Sequence, residues 1–154
     1  MARLQAVPAQ TAPGLDRVKP SEIRILVRIA RQCDPSADAA RLAQAVTLCM
    51  SSGYAWCRRD GDGRIRAVLL AVTAPRFYHG GQQAQVVLWW SMRAPWGLTL
   101  LRHFDAWRRG RFGLKEAHFY PVGWSRACDN PRLLRVLQRY GFIAGPRAGL
   151  HLGG

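Results

Sequence analysis

Val86-Val-Leu-Trp-Trp-Ser-Met-Arg-Ala-Pro-Trp-Gly-Leu-Thr-Leu-Leu101 passes from an unbroken apolar run, through a turn holding Pro and Gly, into a helical pattern. The run Gln85 to Ser91 is apolar enough for a central strand of a sheet. Trp89 and Trp90 are adjacent on it, so they point to opposite faces. One is expected in the core under a helix; the other lines a groove or an interface. Pro95-Trp-Gly97 is read as the end of the strand. A helix is expected from about Leu98 to Arg109, with Leu101, Phe104 and Trp107 as core contacts.

Upstream, Asp60-Gly61-Asp62-Gly63 is a strong hairpin signal, because Gly tolerates positive φ. It joins a strand over Tyr54 to Cys57 with a return strand over Ile65 to Val72. Asp34-Pro35-Ser36 signals a helix start, Leu42, Val46, Cys49 and Met50 follow at helical spacing, and Gly53 ends that helix. Glu22 to Ile29 alternates, with Ile23, Ile25, Val27 and Ile29 on one face, and predicts a strand. Residues 1–20, with three prolines and no periodicity, are expected to form an extended arm, with a single domain over 21–154.

Downstream, Leu114 to Pro121 predicts a strand, with His118 and Tyr120 on one face. Asp129-Asn130-Pro131 caps a final helix with Leu133, Leu134 and Leu137 as its apolar stripe. Phe142 to Leu152 predicts a last hairpin. The order β-α-β-β-β-α-β-α-β gives an α/β (α+β) class: a mixed, mostly antiparallel sheet with helices on its faces.

The 154 residues suffice for one domain with its own core. No apolar run approaches the ~20 residues that span a bilayer. Met1 to Thr11 holds no signal-like apolar block, so a cytoplasmic setting is expected. Lys+Arg total 23 against 9 Asp+Glu, a net charge of +14, and all but two of the cations are Arg. Such a surface suits polyanions: nucleic acid, nucleotides or an acidic protein. Cys33, Cys49, Cys57 and Cys128 lack CxxC or zinc-finger spacing; they read as buried free thiols, and no metal site is expected.

This ordered set resembles the GNAT superfamily of acyl-CoA N-acyltransferases. The resemblance rests on the hairpin Trp56 to Ala71, the strand Val86 to Met92 with its following Gly-containing turn and Leu100-Leu101 helix, Trp107 to Gly113, and Asn130 eleven residues before Gly141-Phe142. It covers about residues 21–152. It implies transfer of an acetyl group from acetyl-CoA to an amine-bearing acceptor, a protein or a small molecule. It also implies a pantetheine groove beside Leu88, Trp89 and Trp90, and a pyrophosphate cradle at Arg93, Gly97 and Thr99, with Asn130 on the last helix. A helix N-terminus suits that anion through its free N–H groups and dipole.

Two departures stand out. The family cradle reads Gln/Arg-x-x-Gly-x-Gly/Ala; here only Gly97 matches, and Pro95 removes an N–H donor. The acid Tyr often found four residues before the terminal Gly-Phe is here Leu137, and residues 84 to 92 hold no carboxylate base. Direct attack needs a base for the amine and an acid for the leaving thiolate. His118 and Tyr120 are the expected substitutes, with His79, Ser91, Ser125 and Cys128 as further candidates. His103 reads as a solvated surface residue. The other class of function is a GNAT-like module without catalysis, such as a bacteriophage virion protein that assembles with partner proteins or lies on packed DNA. Such a module is expected to fill the groove with Trp96 or with the N-terminal arm.

Overall fold

The computed structural model describes residues 14–76, 80–111, 114–119, 135, 138–139, 142–144 and 150–152. Asp16–Arg17 form a short strand, β1, followed by a 3-10 turn at Pro20–Glu22 and helix α1 over Ile23–Cys33. The strand expected at Glu22 to Ile29 is therefore a helix. The residues it buries are Leu26, Ile29 and Ala30, spaced three and four apart, whereas Ile25 is 46% exposed. On the helix Ile23 and Val27 also lie against this core, so three of the four alternating residues face inward with either period. Ala30 after Ile29, together with the turn begun at Pro20, settles it for the helix.

The end of the expected arm enters the fold. Asp16 and Arg17 pair antiparallel with Cys57 and Trp56, and Leu15 and Val18 are buried. Arg59 locks this segment down. Its guanidinium makes a two-pronged pair with Glu22, one prong at 2.7 Å from Nη2 to Oε1 and the other from Nη1 to Oε2. It also donates to the Arg17 carbonyl at 3.0 Å. The Lys19 N–H adds a 2.8 Å bond to Glu22.

Helix α2 spans Ala39–Ser52. Its cap is Asp38, four residues beyond the expected start, which accepts from the N–H groups of Ala40 (2.8 Å) and Arg41 (3.1 Å). Leu42, Val46 and Cys49 face inward, and Gly53 terminates the helix as expected. Strands β2 (Tyr54–Arg59) and β3 (Ile65–Pro75) form the expected hairpin. Asp60 pins its turn by accepting from the N–H groups of Asp62 and Arg64, and Gly63 takes φ +81°. Strand β4 is Gln82–Ser91.

Helix α3 runs over Ala94–Arg109, starting one turn earlier than expected. Pro95 does not break it, because a first-turn residue needs no N–H partner. Leu100, Leu101 and Phe104 are its buried side. Strands β5 (Leu114–Phe119), β6 (Phe142–Ala144) and β7 (Leu150–Leu152) complete the sheet, and β6 and β7 form the expected last hairpin. The sheet order is β1-β2-β3-β4-β5-β7-β6. All neighbours are antiparallel except β4 and β5, which are parallel. Asp129-Asn130-Pro131 lies outside the described residues.

Two cores flank the sheet. On one face Trp56, Leu69, Val86 and Trp89 pack under α3. On the other Cys57, Val68, Leu70 and Leu88 pack under α1 and α2. Trp89 and Trp90 fall on opposite faces as expected: Trp89 is buried under α3, and Trp90 is half-buried on the α1–α2 side.

Candidate functional site

The register of β4 changes at one residue. Leu70 of β3 pairs with Leu88 and Ala71 with Val86, which leaves Val87 as a bulge. The bulge shifts the phase of the strand. Ala84 and Val86 face α3, Val87 and Leu88 face α1 and α2, and Trp89 faces α3 again. A bulge also bends a strand and ends regular pairing beside it.

The other edge of β4 shows the consequence. Parallel pairing with β5 covers Gln82 to Val86 and ends at the Val86–Phe119 pair. Among the described residues none of Val87 to Ser91 pairs with β5. Among the described residues, Leu88 to Ser91 pair on the β3 side only and Val87 is the bulge. An extended ligand can add there as if it were a strand. Leu88, Trp89 and Trp90, the expected groove residues, lie in this stretch.

The open stretch leads into the N-terminus of α3. Ser91 closes β4: its hydroxyl donates to the Arg93 carbonyl and accepts from the Arg93 N–H at 3.3 Å. Of the first helical positions, Pro95 has no N–H, and Trp96 returns its N–H to the Arg93 carbonyl at 3.1 Å. The Ala94 N–H is left without a partner among the described residues. Thr99 turns its hydroxyl back onto the Pro95 carbonyl at 2.9 Å. Gly97 is buried, and its open side faces β4: a Cβ there would lie 3.1 Å from the Ser91 Cβ and 3.4 Å from the Trp89 Nε1. That indole donates to the Gly97 carbonyl at 3.1 Å. The glycine lets the helix start lie close against the open strand.

Arg93 is exposed, and its guanidinium stacks over Trp96 at 5.1 Å, as does that of Arg58 from β2. Trp96 packs on the α3-side core. It therefore reaches toward β2, across β3 from β4 and away from the edge that β5 leaves open. Arg102, a turn beyond Gly97, is exposed.

The other polar candidates are placed as follows. The His118 backbone pairs with Gln85 of β4 and His151 of β7, one pair before the sheet opens. His151 was not singled out by the sequence; only strand register places it opposite His118. Tyr120, His79, Ser125, Cys128 and Asn130 lie outside the described residues. His103 is not solvated but half-buried, with Nδ1 2.8 Å from the Tyr54 hydroxyl and its ring 4.8 Å from that of Trp56. The surface reading failed because Phe104 and Trp107 of α3 pack with Tyr54 of β2 in an aromatic seam that extends the buried face of the helix. Burial pushes the Tyr54 hydroxyl well above its ordinary value. Cys49 and Cys57 are buried and unpaired in disulfides, as expected. Among the described residues there is no metal-ligating cluster and no helix long and apolar enough to cross a membrane.

Comparison with solved structures matches this architecture over most of the chain. Arabidopsis thaliana NAA60 in complex with acetyl-CoA aligns over 85% of this chain and 86% of its own, with a TM-score of 0.63 at 13% identity. The GNAT-like decarboxylase GphF, in complex with isobutyryl-CoA, aligns over 86% and 80% at a TM-score of 0.55 and 18% identity. A histone acetyltransferase HPA2 and related acetyltransferase from Corynebacterium glutamicum aligns over 94% and 98% at 0.54 and 15%. The chain has the GNAT fold. No protein-family model matches its sequence, and no curated protein does. In this GNAT fold, the bulged β4, its departure from β5 and the start of α3 are adjacent.

Proposed function

We propose that this chain is an acyltransferase that binds acetyl-CoA along the open edge of β4 and passes the acetyl group to an amine. The observation that carries the reading is that, among the described residues, pairing of β4 with β5 stops at Val86, a few residues before the start of α3. Two neighbours of the same fold are complexes with acetyl-CoA and isobutyryl-CoA, which supports an acyl-CoA as the ligand class.

The backbone from Val87 to Trp90 receives the pantetheine arm through strand-like hydrogen bonds. The Ala94 N–H and the α3 dipole face the pyrophosphate. With so few free N–H donors, the Arg93 guanidinium supplies most of the charge, held in place by Trp96. Gly97 acts by letting α3 approach β4, and Thr99, whose hydroxyl is donated to the Pro95 carbonyl, steadies the first turn of the helix.

In the transfer, the amine nitrogen attacks the thioester carbonyl. A C–N bond forms, the C–S bond breaks, the amine loses a proton and the thiolate gains one. His118 takes the first proton and Tyr120 supplies the second, in place of the residue that Leu137 replaces. The acceptor is an amine on a protein or small molecule.

Calorimetric titration with acetyl-CoA tests this, with desulfo-CoA and ATP as polyanion controls at two salt concentrations. One-to-one binding of acetyl-CoA that resists salt and exceeds that of ATP is expected. Equal binding of ATP, or loss of all binding in salt, would replace the groove by a general basic surface and return the chain to an assembly role.

A further inference from the structure

Helix α1 carries a second surface, unrelated to the open edge of β4. Its outer stripe holds Arg24, Arg28 and Arg31, at i, i+4 and i+7, all exposed. With Val27, Gln32 and Pro35 they line a groove of about 390 Å³. The helix has no acidic residue. Arg24 and Arg28 have no ion pair among the described residues.

The nearby acids are all engaged elsewhere. Glu22 is paired with Arg59. Asp34 accepts from the N–H and hydroxyl of Ser36 at 3.1 and 2.6 Å. Asp38 caps α2, and of the three arginines only Arg31 adds to the charge that holds it. Among the described residues Arg24 and Arg28 are thus left without an ion-pair partner, and Arg31 shares Asp38 with Arg41, so three cations stand on successive turns around a partly apolar floor.

We infer that this groove docks an acidic segment of a partner protein. Along a helix axis the three arginines rise by ~6 and ~4.5 Å. Carboxylates on one stripe of an acidic helix repeat at the same spacing, and the planar guanidinium fork grips a carboxylate with two bonds. The floor selects protein over nucleic acid. Val27 and Pro35 give the methylenes of Glu side chains an apolar surface, and the Gln32 amide can pair with a peptide backbone. A sugar–phosphate strand gains from the cations alone. The inference goes beyond the acyltransferase reading and holds whether or not β4 takes acetyl-CoA.

The test is fluorescence anisotropy with a labelled peptide of roughly four helical turns bearing Glu at i, i+4 and i+7, and a Gln-substituted twin. The groove variant is Arg24→Gln/Arg28→Gln/Arg31→Gln. The control is Arg64→Gln/Arg109→Gln/Arg139→Gln, which removes the same charge from exposed positions elsewhere. All six side chains are exposed, so both variants should fold, and a thermal melt of each checks this. The groove variant should bind the Glu peptide about tenfold more weakly, and the control within about twofold of the parent. Equal losses in the two variants would mean a diffuse field and overturn the groove. A duplex DNA of similar charge that binds more tightly than the peptide, with the same dependence on the three arginines, would overturn the acidic protein segment as occupant.

Discussion

Replacing Gly97 with valine separates two roles for this residue. If it is there to let phosphate approach the backbone, a side chain blocks the ligand and leaves the fold alone. The geometry gives the other answer. The new Cβ lies 3.1 Å from the Ser91 Cβ and 3.4 Å from the Trp89 Nε1, between a buried strand and the helix that covers it. Overpacking of this kind costs about 1–3 kcal/mol. Straining the 3.1 Å bond from Trp89 to the Gly97 carbonyl removes about 1 kcal/mol more. Valine regains roughly 0.5 kcal/mol of helix propensity over glycine. The sum is a loss of about 2 kcal/mol, or about 4–8 °C in Tm for a domain of this size. Ser91→Gly removes the obstructing Cβ, so in that background Gly97→Val should cost less than half as much. Thermal melts of the two single variants and the double measure this. An unchanged Tm for Gly97→Val, with acetyl-CoA binding lost, would refute the packing argument and restore the phosphate role.

Three other outcomes follow from the same structure. Burial pushes the Glu22 carboxyl up, but the bonds from Arg59 and the Lys19 N–H, with the Arg59 charge, outweigh it and hold the group below its ordinary 4.5. Its contribution is therefore complete above pH 4.5 and lost as pH falls through the lower folded value. Glu22→Gln should cost about 3 kcal/mol at pH 7 by taking from Arg59 its buried partner and leaving it only the exposed Asp16, 3.5 Å away; urea midpoints between pH 7 and 3 should also fall less steeply for this variant than for the parent. A cost below about 0.5 kcal/mol would show that the pair does not anchor β1. Burial pushes the Cys49 thiol up to about 12 and that of Cys57 to about 11, so maleimide labelling at pH 8 should spare both until urea unfolds the chain; rapid labelling of either in the native state contradicts the core packing. Arg93→Gln should weaken acetyl-CoA roughly fivefold in calorimetry with Tm unchanged, because the side chain is exposed; undiminished affinity would remove Arg93 from the cradle.

Local chemistry made much of this legible. The Asp-Gly-Asp-Gly turn needs only its own carboxylate and a glycine at positive φ, so the hairpin was readable from a few residues. The same holds for Gly53 at the end of α2 and for the last hairpin. The start of α2 was placed early because Asp34 and Asp38 are both capping residues; Asp34 holds a turn with Ser36, and only Asp38 meets the helix N–H groups. Helix α1 was misread because a short alternating run fits both periods, and only the residue chosen for burial, Leu26 rather than Ile25, decides between them. His103 was misread because its partner, Tyr54, is 49 positions away.

The sequence by itself determined the strands, turns and helices whose causes lie within a few residues, and the resemblance that named the groove, cradle and ligand class. It also set the basic charge. Tertiary structure alone decided where β4 leaves β5, that Gly97 serves the contact between α3 and β4, that Trp96 turns toward β2, and that His151 meets His118 in register. It also decided which arginines meet a carboxylate, as Arg59 meets Glu22, and that Arg24 and Arg28 of α1 have no ion pair among the described residues. The physical reason is common to all of these. A bulge, a close approach, a strand register and an ion pair each join residues far apart in the chain, and none leaves a periodic signal in the residues on either side.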